Sequence, residues 1–262
     1  MMPFALCFCA AALANEPKPA EIIAHRGASH DAPENTVAAF KLAWEQGADG
    51  AELDIHFTKD GRIVVIHDAD TKRTTGTDWK VRDRTLAELR TLDAGTWKHK
   101  RFAGERLPTL DEMLATVPEG KKVFVEVKCG PEAVRELDRV LKASRLKPEQ
   151  TPVISFDASV IAAVKKARPD LPAYWLVSLK NRKDEKRSVD DLVMKAREIR
   201  ADGLDVSASD VVDAAFAAKV KAAGLRLDVW TVDDPAVARR VAPFVAGITT
   251  NRPAWLREQL KK

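Results

Sequence analysis

The sequence predicts an α/β protein, a closed (β/α)8 barrel of parallel strands with a small insertion after the second strand. Three observations predict it. Eight short apolar windows recur, near residues 22–24, 50–57, 122–127, 152–155, 173–177, 203–206, 225–230 and 246–249. Helical patterns fall between them, and strands alternating with helices build a parallel sheet. The 262 residues also suit one such domain, which takes about 250. An open doubly wound sheet is the alternative, but no GxGxxG fingerprint follows the first strand.

Residues 1–14 stand apart from the fold. Residues 4–13 form an apolar run too short to span a bilayer, and Ala12-Leu13-Ala14 meets the small-x-small cleavage rule. The expectation is a signal peptide cleaved before Asn15, leaving an exported, periplasmic or secreted domain over 15–262. No Lys or Arg precedes the apolar run, so a cytoplasmic protein is the alternative. Cys7 and Cys9 would leave with the signal. Cys129 then has no internal disulfide partner and reads as a small packing residue.

From the first strand the chain enters HRGASHDAPENT and then a helix with Val37, Phe40 and Trp44 on one face. The second strand, GAELDIHF, alternates apolar and polar residues. Lys59-Asp60-Gly61 reads as a hairpin turn leading to the apolar residues 63–66. The interval 69–108 is long for a loop, and its TLAELRTLDAG core predicts a helix, so it is read as an insertion over the barrel mouth. Trp79, Trp97 and Phe102 are expected to be buried beneath it. A helix over 110–117 closes the second repeat. The third strand lies in KKVFVEVKCG, followed from Gly130-Pro131 by a helix with Val134, Leu137 and Leu141 on one face. The basic run 180–187, broken by Asp184 and Glu185, reads as a solvated loop. A net charge of +4 with no basic stripe carrying interleaved aromatics gives a nucleic-acid partner no support, and no stable membrane insertion is expected. The oligomeric state is left open.

The chemistry gathers at strand ends. Glu52 and Asp54, two apart on one strand, share a face. Side by side, two ionised carboxylates repel, and a divalent cation with a taste for oxygen, Mg²⁺ or Ca²⁺, removes that cost. A solvated strand face would read the same way until Glu126 supplies a third carboxylate. Lys128, two residues on, shares its face and can neutralise phosphate charge. His25 follows the apolar residues 22–24 and His67 follows 63–66. Imidazoles suit both proton transfers that phosphodiester cleavage needs near neutrality. Arg26 offers a planar fork to two phosphate oxygens. His30, His56 and His99 lack comparable company, although His56 shares a strand face with Asp54.

HRGASHDAPENT, ELDIHFTKDGRIVVIHD, LPTLDEML, VFVEVK, WTVDD and GITTNRP, in that order from about Glu21 to Pro253, resemble the glycerophosphodiester phosphodiesterase family. The resemblance implies a TIM barrel and metal-dependent hydrolysis of glycerophosphodiesters to sn-glycerol 3-phosphate and an alcohol, in glycerophospholipid catabolism. Carried over position by position, it implies Glu52, Asp54 and Glu126 as ligands of one divalent cation and His25 and His67 as the acid/base pair. Arg26 and Lys128 become phosphate contacts, Trp230 lines the substrate pocket, and Asn35 shapes the first loop. Asn251-Arg252-Pro253 stands where the family often has an acidic residue before the proline, a departure expected to touch only the far rim of the pocket. The route, through attack by the glycerol 2-hydroxyl or by water directly, stays open, as does which histidine is the acid. Two other readings are a lysophospholipase D or sphingomyelinase D-like activity on lipid diesters, and a non-catalytic phospho-polyol binding protein. The first calls for an apolar entrance; the second should have lost a histidine or carboxylate, and none is lost here.

Overall fold

A computed structural model describes residues 19–179 and 188–261. The expected signal peptide and the basic run 180–187 therefore lie outside the described residues. The elements run β1 (Glu21–Ala24), α1 (Val37–Glu45), β2 (Gly50–Phe57), β3 (Ile63–Val65), α2 (Lys72–Thr75), α3 (Leu86–Leu89), α4 (Leu110–Leu114), β4 (Lys122–Val127), α5 (Val134–Ala143), β5 (Val153–Ser155), α6 (Ala158–Ala167), β6 (Ala173–Val177), α7 (Val189–Glu198), β7 (Gly203–Ser207), α8 (Ala214–Ala222), β8 (Arg226–Trp230), α9 (Pro235–Val241), β9 (Gly247–Thr250) and α10 (Pro253–Gln259).

Eight of these strands are parallel and close on themselves: β1 pairs with β2 on one side and with β9 on the other. Strand alternation sorts the side chains into two cores. Ile22, Ala24, Leu53, Ile55, Val123, Val125 and Val127 face outward into the main core. Ile23, Phe124, Ile154, Tyr174 and Leu176 fill the barrel's interior, with Trp230 packed on them.

The barrel floor holds a closed set of charges. Arg226 donates through Nε to both Asp228 oxygens, at 3.0 and 2.7 Å, and through Nη2 to Glu21 at 2.8 Å, while Lys122 donates to the other Glu21 oxygen at 2.6 Å. Gly247 makes room for this set, since a Cβ there would stand 2.7 Å from Asp228 Oδ1.

The ninth strand is the hairpin return. β3 runs antiparallel to the outer half of β2, pairing His56 with Val64 and Phe57 with Ile63. His67 thus follows the C-terminal end of an apolar strand, as its place in the sequence implied, and that strand, β3, is the hairpin return coming back toward the barrel. The segment after it folds as an insertion with its own small core of Val64, Ile66, Val81, Leu89, Ala94 and Leu107. The helix expected in TLAELRTLDAG shrinks to α3. Thr85 and Glu88 cap its start reciprocally, but Asp93 then collects the N–H groups of Gly95, Thr96 and Gly104 and turns the chain back. α4 likewise stops at Leu114. Trp79 packs against the insertion's core, whereas Trp97, expected to be buried, is 39% exposed. Lys98 and Arg101 tie the insertion to the first loop through the carbonyls of Ser29 and Asp31, at 2.7 and 3.0 Å. Cys129 is half-buried, and burial pushes its thiol up to about 11, which suits a packing role. Among the described residues no helix is long and apolar enough to cross a membrane.

Candidate active site

The first loop is bent to bring backbone and side chain to one place. Arg26 and Gly27 both adopt left-handed φ, 55° and 79°. This is uncommon for an arginine and persists only where surrounding contacts fix it. Here the Arg26 N–H donates to Glu52 Oε2 at 3.0 Å, and its carbonyl accepts from Asn35 at 3.0 Å. Gly27 has no substitute, because a Cβ would lie 2.7 Å from the Ala39 backbone of α1. The Arg26 guanidinium then turns toward Glu34 at 2.9 Å and Asp54 at 3.3 Å. Asn35, also at positive φ, donates to Asp54 Oδ2 at 2.8 Å and accepts the Asp54 N–H at 3.2 Å. It therefore shapes the loop, as expected, and also orients a carboxylate.

β2 and β4 are in register so that Asp54 lies beside Glu126, with Glu52 two residues earlier on the same face of β2. Glu52, Asp54 and Glu126 are all buried, and one oxygen from each lies within 4.8 Å of the other two. Their charges conflict. Burial and the Asp54 charge hold Glu52 well above the usual carboxylate range and lift Glu126 to about 7. Burial also works against Asp54, but Arg26 and Lys128 outweigh it and keep that group ionised. Glu52 Oε1 and Asp54 Oδ1 are buried with no hydrogen-bond partner. Buried orphan oxygens are rare in folded proteins and call for an explanation. A divalent cation among three hard oxygen donors supplies one, and the donor set suits Mg²⁺ or Ca²⁺.

The two histidines flank this group, and each has its Nδ1 held. His67 Nδ1 lies 2.7 Å from Asp68, whose carboxylate Arg73, itself paired with Glu34, and His67 hold down at about 2. An ionised Asp68 takes the Nδ1 proton's hydrogen bond, so His67 Nε2 is the free acceptor, and Lys128 Nζ donates to it at 3.2 Å. Lys128 also donates to Glu126 at 2.9 Å, as strand periodicity predicts. His25 Nδ1 meets Asn251 Oδ1 at 2.7 Å, and the Asn251 amide is fixed by donating Nδ2 to Asp233. His25 Nε2 then points inward, 4.0 Å from Glu52. Burial and the neighbouring Arg26 push His25 down to about 4. Asn251 is thus no far-rim residue: it is the neutral partner that sets the His25 tautomer. His56 sits behind the site with Nε2 against the His67 carbonyl at 3.0 Å.

Above the carboxylates a cavity of about 210 Å³ opens between these groups and a wall of Ile154, Phe156, Leu176 and Trp230. Phe156 and Trp230 pack edge to face at 5.4 Å, and the Trp230 indole donates to the Asp205 carbonyl at 3.1 Å. Of the eight site residues expected from the sequence, His25, Arg26, Glu52, His67, Glu126, Lys128 and Trp230 line this cavity, and Asp54 lies buried behind it beside Glu52 and Glu126. Others were missed as members of the site, among them Arg73, Glu34, Phe156 and Asp205. Asp205 alone had a signal, an acid in the middle of an otherwise apolar strand.

The sequence model of the glycerophosphoryl diester phosphodiesterase family matches residues 25–255. A glycerophosphodiester phosphodiesterase of Bacillus subtilis is 31% identical over 252 residues, covering 88% of this chain and 83% of that protein. One from Caldanaerobacter subterraneus is 45% identical over 157 residues, 57% of this chain and 63% of its own length. Among solved structures, a phosphodiesterase of Oleispira antarctica in complex with the product sn-glycerol-3-phosphate superposes with a TM-score of 0.83 at 27% identity, covering 93% of this chain and 98% of that one. A glycerophosphodiester phosphodiesterase of Agrobacterium tumefaciens gives 0.76 at 31% identity over 91% and 99% of the two chains. The chain belongs to the glycerophosphoryl diester phosphodiesterase family.

Proposed function

We propose that this chain is a phosphoric diester hydrolase, a metal-dependent glycerophosphodiester phosphodiesterase that releases sn-glycerol 3-phosphate and an alcohol in glycerophospholipid breakdown. One observation carries the reading: two imidazoles, each with Nδ1 engaged and Nε2 turned inward, flank three buried carboxylates that leave two oxygens unpaired. Glu52, Asp54 and Glu126 would hold Mg²⁺ or Ca²⁺, which when bound polarises a phosphoryl oxygen and balances the carboxylate charge.

The remaining work falls to the chain's own groups. Arg26 and Lys128 meet the phosphate oxygens, and their cations, already placed by Glu34 and Glu126, need no reorganisation as charge grows in the transition state. His25, held neutral, takes a proton at Nε2 from the attacking hydroxyl, whether water or the glycerol 2-hydroxyl. His67 would enter this step as the imidazolium, its Nδ1–H on the Asp68 carboxylate, and gives its Nε2 proton to the leaving alkoxide. While it carries that proton Lys128 Nζ faces Glu126 and the phosphate, and exchange with solvent afterwards discharges His25 and reprotonates His67. Phe156 and Trp230 give the opposite wall an apolar face.

The test is an assay of purified protein on glycerophosphocholine, glycerophosphoethanolamine and lysophosphatidylcholine, with Mg²⁺, Ca²⁺ or EDTA. Release of sn-glycerol 3-phosphate from the first two, lost in EDTA, is expected. Turnover indifferent to EDTA, or confined to lysophosphatidylcholine, would overturn the reading.

A further inference from the structure

We infer that Asp205 is a specificity residue: its carboxyl, deep in the cavity wall, takes a hydrogen bond with a hydroxyl on the three-carbon polyol of the substrate. The inference rests on the phosphodiesterase reading above. Among the described residues, four buried side-chain polar atoms lack a hydrogen-bond partner. Three belong to the group that would meet the cation and phosphate: Arg26 Nε, Glu52 Oε1 and Asp54 Oδ1. The fourth is Asp205 Oδ1, and it has no such explanation.

Asp205 is 3% exposed and sits mid-strand on β7, in register with Leu176 on one side and Asp228 on the other. Its strand neighbours Leu204 and Val206 face the outer core, so its own side chain faces the barrel's interior, where it lines the cavity. It is not placed to join the cation site, since the described carboxylates close enough to share an ion are Glu52, Asp54 and Glu126. Nor does the floor satisfy it: Arg226 spends Nε on Asp228 and Nη2 on Glu21. A carboxyl buried without a partner is costly and is expected to have one in some working state.

The surroundings say what that partner is. Burial first, then the charges of Asp228 and Glu126, hold the Asp205 carboxyl well above the usual carboxylate range, which favours the neutral acid. A neutral carboxylic acid both donates and accepts, which matches an alcohol hydroxyl. Ile154, Leu176 and Trp230 around it offer apolar contact for a short carbon skeleton. An apolar wall with one buried polar handle selects a polyol over an alkyl chain of the same length, because the handle is left unpaired by the alkyl chain.

Titration calorimetry in Mg²⁺ compares sn-glycerol 3-phosphate with n-propyl phosphate, which has the same carbons and no hydroxyl. The unaltered protein should prefer the glycerol compound by roughly 10–100-fold, the range of one well-made buried hydrogen bond. Asp205→Leu should erase the preference while n-propyl phosphate binds as before, and Asp205→Asn, which still donates and accepts, should keep it. Melting curves check folding, and Asp205→Ala repeats the comparison should the leucine not fit. A preference that survives in Asp205→Leu or Asp205→Ala, or an equal loss of both ligands with melting unchanged, overturns the assignment. Glycerophosphocholine turnover by the unaltered protein reads the parent hypothesis separately: its failure with the binding pattern intact would sink the enzyme reading and leave Asp205 as the hydroxyl contact.

Discussion

Two clusters of charge, each centred on buried carboxylates (Asp228 on the floor; Glu52, Asp54 and Glu126 at the mouth), occupy opposite ends of the barrel, and they are built in opposite ways. On the floor, Arg226 and Lys122 between them satisfy all four oxygens of Glu21 and Asp228. At the mouth, Arg26, Asn35 and Lys128 engage the carboxylates of Glu52, Asp54 and Glu126 but leave Glu52 Oε1 and Asp54 Oδ1 bare. Both clusters combine acids with Arg and Lys inside an apolar shell, so buried charge by itself separates nothing. What separates them is completeness. A closed set is structure; a set with oxygens to spare is waiting for something the chain does not provide.

The largest effect that contrast implies is at the mouth. Glu52→Ala, Asp54→Ala or Glu126→Ala should each take turnover below detection without loss of fold, since each removes a repelling charge as well as a ligand. Metal titration checks the assignment, and unchanged affinity in Glu126→Ala would break it. Next come the histidines. His25→Ala and His67→Ala should each cost roughly 10²–10⁴ in rate. Because the two serve one coupled transfer, the double variant should lose less than the product. A nitrophenyl diester, whose leaving group needs no proton, should rescue His67→Ala and leave His25→Ala impaired; the reverse pattern would exchange their roles.

The floor should answer differently. Arg226→Ala leaves Asp228 buried and unpaired and should cost about 3–5 kcal/mol of stability, read by denaturant unfolding, while the turnover of folded protein stays within a few-fold. A smaller effect is expected from Arg73→Ala. Removing the clamp between Glu34 and Asp68 loosens His67 without touching substrate, so kcat should fall roughly 10-fold with melting unchanged. The smallest effect is on pH. In metal-free protein the folded state keeps the Glu126 proton to about 7, above the 4.5 of an ordinary glutamate, so it binds more protons than the unfolded chain between those values. Glu126 should then take stability away as pH rises from about 4.5 to 7, against His25, which is held down at about 4 and adds stability as pH rises toward 6.5. Glu126→Gln should therefore make metal-free stability rise more steeply over this range, and saturating Mg²⁺ should do the same. A metal-free pH profile of melting temperature that is the same in Glu126→Gln as in the unaltered protein would show that Glu126 is already compensated.

The sequence made the frame and the reacting groups legible for a physical reason. Strand period two puts Glu52 with Asp54 and Glu126 with Lys128 whatever the rest of the fold does. The supports were not legible, because they are tertiary. Arg73 lies in the insertion and finds Glu34 across 39 residues, and Asn251 finds His25 across 226. No local pattern announces either. Asp205 and Asp228 show the limit most clearly, standing in near-identical strand contexts, GLDVS and RLDVW. Only the presence of Arg226 Nε beside one and not the other tells them apart.

The seam between β1 and β9 has a consequence for biosynthesis. All three carboxylates, both histidines and Lys128 lie at or before residue 128 of the 262. Yet His25 gains its tautomer-setting partner, and β1 its second neighbour, only from Thr250 and Asn251 near the other end. Closing contacts of such sequence separation form late and slowly. A chain halted before its last strand therefore carries the carboxylates, histidines and Lys128 without the contacts that close the barrel and fix His25.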